Sequence, residues 1–135
     1  MFKLEPVPSF FEDEPYMSLN QLHYFQNKLL GWRKEVCDKL SRNFPAFDKH
    51  AEQTADWVDA AALQTQNQLY YANHDHALRT LIEIDSALQR IKSGTFGFCI
   101  ESGDEIGFKR LIALPIAKYS IDTQEELEKR NKTVR

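Results

Sequence analysis

Apolar residues recur along two long stretches of this chain with the alternating three-and-four spacing of a coiled-coil seam. In the first, Leu22, Leu29 and Val36 repeat every seven residues and are interleaved with Phe25 and Trp32. Ser18 stands where an N-cap belongs, with Gln21 three residues on as in a capping box. Phe44-Pro45 interrupts the pattern, so the first helix is predicted to run to Leu40–Asn43. In the second stretch Tyr70, Ala77, Ile84 and Ile91 form one heptad row, and His74, Leu81 and Leu88 form the other. This helix is predicted to begin near Ala55–Asp59 and to end at Ser93-Gly94, where glycine can take the left-handed stop. At ~1.5 Å per residue it is about 50 Å long, more than a small globular core requires. Two such helices fold back most simply as an antiparallel hairpin whose turn falls in Phe44–Asp59.

Beyond Gly94 the long period is lost. Short apolar pieces follow, Gly107–Leu111 among them, and these are expected to be strand-like. A closing helix is expected over Asp122–Arg130. Residues 1–15 hold three of the five prolines and read as an irregular tail. The predicted organisation is therefore a tail (1–15), a helical hairpin (16–93) with its tip near 44–61, a compact module (94–121), and a C-terminal helix and tail (122–135). The fold class is mainly α: a long antiparallel coiled-coil hairpin with a small globular head.

Composition narrows the function. With 42% hydrophobic and 27% charged residues in 135, the chain reads as one soluble domain, or one domain with an extended arm. No apolar run approaches the ~20 residues that span a bilayer. The N-terminal MFKLEPVPSFFEDEPY carries acids and prolines where a signal peptide needs a basic start and an apolar core. A cytoplasmic protein without a membrane role is expected. Cys37 and Cys99 offer no disulfide framework. A net charge of -3 argues against a protein that grips DNA through its phosphates, so no sequence-specific DNA binding is expected. No Lys or Arg lies between Lys49 and Arg79, whereas Glu52, Asp56, Asp59 and Asp75 do. Such an acidic middle suits a basic protein channel or a cation. No nucleophile–base pair, phosphate loop or complete metal set is present, so the chain is not expected to be an enzyme.

Four positions in the last third have the spacing of a zinc ribbon without its chemistry. Cys99 and Ser102 form one pair and Ser120 and Thr123 the other, each with a two-residue gap. A structural zinc site needs about four thiolate or imidazole ligands. Only Cys99 supplies one, hydroxyls are too weakly acidic to replace the rest, and no histidine follows His76. The module is expected to keep its shape without zinc. Phe96, Phe98, Ile100, Phe108, Leu111, Ile112 and Leu114 would supply the apolar mass that holds it together. Cys99 reads either as a redox-sensing thiol or as a buried relic of the metal site, with Lys109 and Arg110 the cations expected to act on its pKa.

The segment FGFCIESGDEIGFKRLIALPIA, followed by YSIDTQEELEKR, resembles the C-terminal region of the DksA/TraR family. The family pattern is Cys-x-x-Cys, Gly-x-x-Ile-Gly, Arg-Leu, Pro and Cys-Ile-x-Cys. Gly103, Ile106, Gly107, Arg110, Leu111, Pro115, Ile121 and Asp122 match in register, and the chain departs at three of the four ligands. The resemblance extends back to about Tyr16. It implies a monomeric transcription regulator that binds bacterial RNA polymerase through the secondary channel and shifts the balance between closed and open promoter complexes. Stable-RNA promoters would be repressed and some biosynthetic promoters helped. The runner-up expectations are a transcript-cleavage-type channel factor and a coiled-coil adaptor with no polymerase role.

The resemblance also assigns residues. The family tip, Asp-x-x-Asp-x-Ala, is matched at Asp56, Asp59 and Ala61 within Asp56-Trp57-Val58-Asp59-Ala60-Ala61. Acids three apart at a helix start share one side and are favoured by the helix dipole. An ordinary helix start uses the same acids, and Trp57 could serve as an apolar contact or simply pack in the turn. On the second helix Asn73 and Arg79 keep types that the family uses to grip the polymerase, and His76 replaces a position that is often Arg. His74, on a heptad row, reads as a half-buried histidine. Asn73-His74-Asp75-His76 is not read as a metal motif, because near neighbours on a helix face different ways. Family members work with ppGpp, held by basic side chains. The corresponding positions here are Glu83, Leu114 and Gln124, which implies either reduced dependence on this co-effector or its binding through other residues.

Overall fold

The computed structural model describes residues 13–43 and 60–133, the side chains of 60–64 excepted. Four helices are present among them: α1 (Leu19–Asn43), α2 (Ala60–Ser93), α3 (Phe108–Ala113) and α4 (Ile121–Thr133). The fold is mainly α, with two long helices of the coiled-coil hairpin and a C-terminal helix. The predicted turn at Phe44–Asp59, the start of the second helix in Ala55–Asp59 and most of the tail lie outside the described residues. Of the tail, Asp13 has helical backbone rather than the irregular path expected.

The capping box forms as the sequence indicates. Ser18 Oγ accepts from the Gln21 N–H at 3.3 Å, and Gln21 Oε1 accepts from the Ser18 N–H at 3.2 Å. Ser18 Oγ–H also donates to Glu14, as does Asn20 Nδ2 at 2.8 Å, and these two bonds lower the Glu14 carboxyl below its ordinary pKa. Gln21 is fully buried, and the reciprocal bond compensates part of the cost of burying its amide. At the C-terminal end of α2, Gly94 takes φ 80°. Its N–H donates to Ile91 O at 3.3 Å and the Thr95 N–H to Arg90 O at 3.0 Å, which is the Schellman stop.

The chain divides into two compact units, Met1–Leu30 with Ile84–Arg135, and Gly31–Glu83. In the first, the heptad residues Phe25, Leu29 and Ile84 are fully buried, joined by Ala87 and Phe96. The Phe25 and Phe96 rings lie 5.4 Å apart, tying α1 to the loop that follows α2. Lys28 Nζ donates to Ile112 O at 3.0 Å, satisfying a carbonyl at the end of α3. In the second unit Val36 is buried, and Trp32, Leu40, Tyr70, His74, Ala77 and Leu81 are half-buried. The seam rows are therefore the shielded rows, and Asn67 continues them one step back.

Gly107–Leu111 is not a strand. Phe108–Ala113 forms α3, and the only extended pairing among the described residues is the bridge Phe98–Glu105. Phe108, Leu111 and Ile112 fall at i, i+3 and i+4, so one helical turn places all three on the same side. Leu111 and Ile112 are buried by it. Without a second strand to pair with, helical bonds satisfy this backbone at lower cost. The apolar mass expected of the module is also smaller than the sequence indicates. Phe96, Leu111 and Ile112 are buried and Phe98 and Phe108 half-buried, but Ile100 and Leu114 are 54% and 42% exposed.

Candidate functional site

Around Cys99 the chain makes a tight knuckle. The Cys99 N–H donates to Asp104 O at 2.7 Å and the Gly103 N–H returns to Cys99 O at 2.9 Å. The Ile100 N–H donates to Lys118 O at 2.9 Å, which brings the segment before α4 alongside. At the start of α4, Ser120 Oγ accepts from the Thr123 N–H at 3.3 Å as an N-cap. The four ribbon positions meet as a result. Cys99 Sγ lies within hydrogen-bond reach of Thr123 Oγ1, at 3.4 Å, and accepts from the Ser102 N–H at 3.5 Å. Ser120 Oγ–H donates to Thr123 Oγ1 at 3.0 Å.

The cluster has one sulfur and three hydroxyls. That donor set does not fit a structural zinc ion, which takes thiolate and imidazole ligands at ~2.0–2.3 Å. It does fit a thiolate. Cys99 is 3% exposed, and burial pushes its pKa up. Bonds from the Ser102 and Thr123 hydroxyls and from the Ser102 and Ser120 N–H groups outweigh burial and bring it down to about 6. The lowering thus comes from hydrogen bonds at the old ligand positions, not from Lys109 or Arg110. Cys99 is buried, as the relic reading expects.

Tyr16 provides a fastening that periodicity did not reveal. Its hydroxyl donates to Gly97 O at 2.5 Å and accepts from the Gly107 N–H at 3.0 Å, bridging the two sides of the knuckle. Its ring meets Phe98 at 5.5 Å and Phe108 at 4.8 Å. Burial raises the Tyr16 pKa, keeping the hydroxyl neutral and able to donate. Met17 packs on the bare face of Gly97, where an added Cβ would sit 2.7 Å from its Cγ. Arg110 Nε donates to Tyr119 O at 3.1 Å and closes the loop between α3 and α4.

Asp56, Trp57 and Asp59 lie outside the described residues, and Ala61 belongs to the first turn of α2. Asn73, His76 and Arg79 are exposed on α2, and His74 is half-buried on the seam. Glu83, Leu114 and Gln124, the positions that the resemblance assigns to ppGpp binding, carry no cationic side chain. Among the described residues no group of three or more His, Cys, Asp or Glu side chains is placed to hold a metal, and no helix is long and apolar enough to cross a membrane.

Two family models divide the chain between them. One, described as the DnaK suppressor protein DksA N-terminal domain, matches residues 21–91. The other, the prokaryotic dksA/traR C4-type zinc finger, matches residues 94–129, so the finger pattern survives the exchange of its ligands. The chain is 37% identical to the RNA polymerase-binding transcription factor DksA of Caulobacter vibrioides, over 92% of its own length and 87% of the relative's. With the protein of the same name from Escherichia coli K12 it shares 33% identity, covering 88% and 79% of the two chains. The solved structure of transcription factor DksA2 from Pseudomonas aeruginosa superposes with a TM-score of 0.79 at 30% identity, covering 91% of this chain and 97% of that one. A two-row helical seam, a knuckle in the zinc-finger register and similarity to these regulators over most of the chain agree: the chain belongs to the DksA/TraR family.

Proposed function

We propose that this protein is a transcription regulator that binds bacterial RNA polymerase through its secondary channel and changes the lifetime of open promoter complexes without using zinc. The observation that carries this reading is the 37% identity, over 92% of the chain, to a factor named for binding RNA polymerase. Asp56 and Asp59 are assigned to the polymerase active centre, with Trp57 and Ala61 beside them. Asn73, His76 and Arg79 are assigned to the wall of the channel. The protein acts by binding, has no catalytic activity of its own, and works in the cytoplasm as a monomer. The cations missing at Glu83, Leu114 and Gln124 support weak dependence on ppGpp.

The test is the half-life of open complexes at a ribosomal RNA promoter with purified polymerase and no ppGpp. The native protein is expected to shorten it and the Asp59→Asn variant, equally folded, to leave it unchanged. An unaltered half-life with native protein, with or without ppGpp, would overturn the reading. Stimulated cleavage of backtracked transcripts would replace it with the cleavage-factor alternative.

A further inference from the structure

Helix α2 carries a second apolar row besides its seam. Within the unit Gly31–Glu83, Tyr71, Leu78 and Ile82 are 43%, 40% and 66% exposed. At about 100° per residue, the spacing of 7 and 4 keeps all three within an arc of roughly 40°. The seam residues Tyr70, His74, Ala77 and Leu81 are centred about 100° away on one side, and Asn73, His76 and Arg79 about 140° away on the other. The row is therefore neither the hairpin's interior nor the polar face assigned above. Exposed apolar side chains scattered singly need no explanation, but three aligned over three turns of one helix form a strip suited to a partner.

Area and charge select the occupant. The three side chains offer on the order of 300 Å², against ~800 Å² per partner in a stable pair. The strip is too small to hold a second copy by itself, and suits a partner already held elsewhere on the chain. Asp75 and Arg79 border it on one side, so the opposing surface should be an apolar ridge with a basic and an acidic neighbour. We infer that Tyr71, Leu78 and Ile82 form an apolar contact with RNA polymerase, separate from the tip and from the polar face. This rests on the proposed polymerase-binding function and adds the surface that fixes the helix against its partner.

Binding of the full chain to purified core polymerase tests it, using native protein, Leu78→Gln/Ile82→Gln and Leu78→Met/Ile82→Met. The glutamine pair should weaken binding by roughly tenfold, as expected for two desolvated apolar side chains, and the methionine pair should bind like native protein. Thermal melting and sedimentation velocity should show all three equally folded and monomeric. Equal binding by the glutamine pair would overturn the inference and leave the proposed function standing. A native dimer that the glutamine pair dissolves would assign the strip to a second copy instead. Failure of native protein to bind polymerase would remove the functional reading and the inference together.

Discussion

Cys99 sits where burial and hydrogen bonding act in opposite directions on one ionisation, and its pH dependence shows which prevails. Its folded pKa of about 6 lies below the thiol's ordinary value. Folding is therefore favoured by ionisation at pH above the unfolded value, and this contribution disappears as pH falls through about 6. The stability difference between native protein and Cys99→Ala, from urea unfolding, should grow as pH rises from 6 to 9. A difference independent of pH would mean that the hydroxyls do not hold a thiolate. The pairing of these four positions was legible from two-residue gaps alone. Their replacement bonds were not, because spacing does not tell which way a Ser or Thr hydroxyl turns. Tyr16 was invisible for another reason: a single aromatic in a proline-bounded segment belongs to no period, and its partners are backbone groups 81 and 91 residues away.

At the scale of elements, the long helices were legible because one seam dictates their period over many turns. Phe25, Leu29, Val36 and Ile84, read from heptads, are buried, and the capping box and glycine stop form at Ser18 and Gly94. The short helix α3 was misread because six residues, FKRLIA, are too few for a period to outweigh their apolar composition. Position relative to the seam should decide the effect of substitution more than residue type does. Ile84 is fully buried and Ile82 is 66% exposed on the same helix. Ile84→Ala should cost about 2–4 kcal/mol in denaturant unfolding, and Ile82→Ala no more than about 0.5 kcal/mol. Comparable losses from both would place the seam elsewhere.

For the whole molecule, family membership and mainly helical architecture were legible, since similarity runs through both the heptads and the knuckle. The tip acids were singled out from sequence, but Asp56 and Asp59 fall outside the described residues, so their role rests on resemblance and on the open-complex test. The knuckle of this chain is closed by a thiol, three hydroxyls and the Tyr16 bridge, and we propose that these stand in for the metal of a C4 finger. The direct test of that account is the zinc content of protein purified without chelator, measured with its melting temperature before and after EDTA. The account predicts far less than about one zinc per chain and an unchanged melting temperature. Close to one zinc per chain, with melting lowered by the chelator, would contradict it.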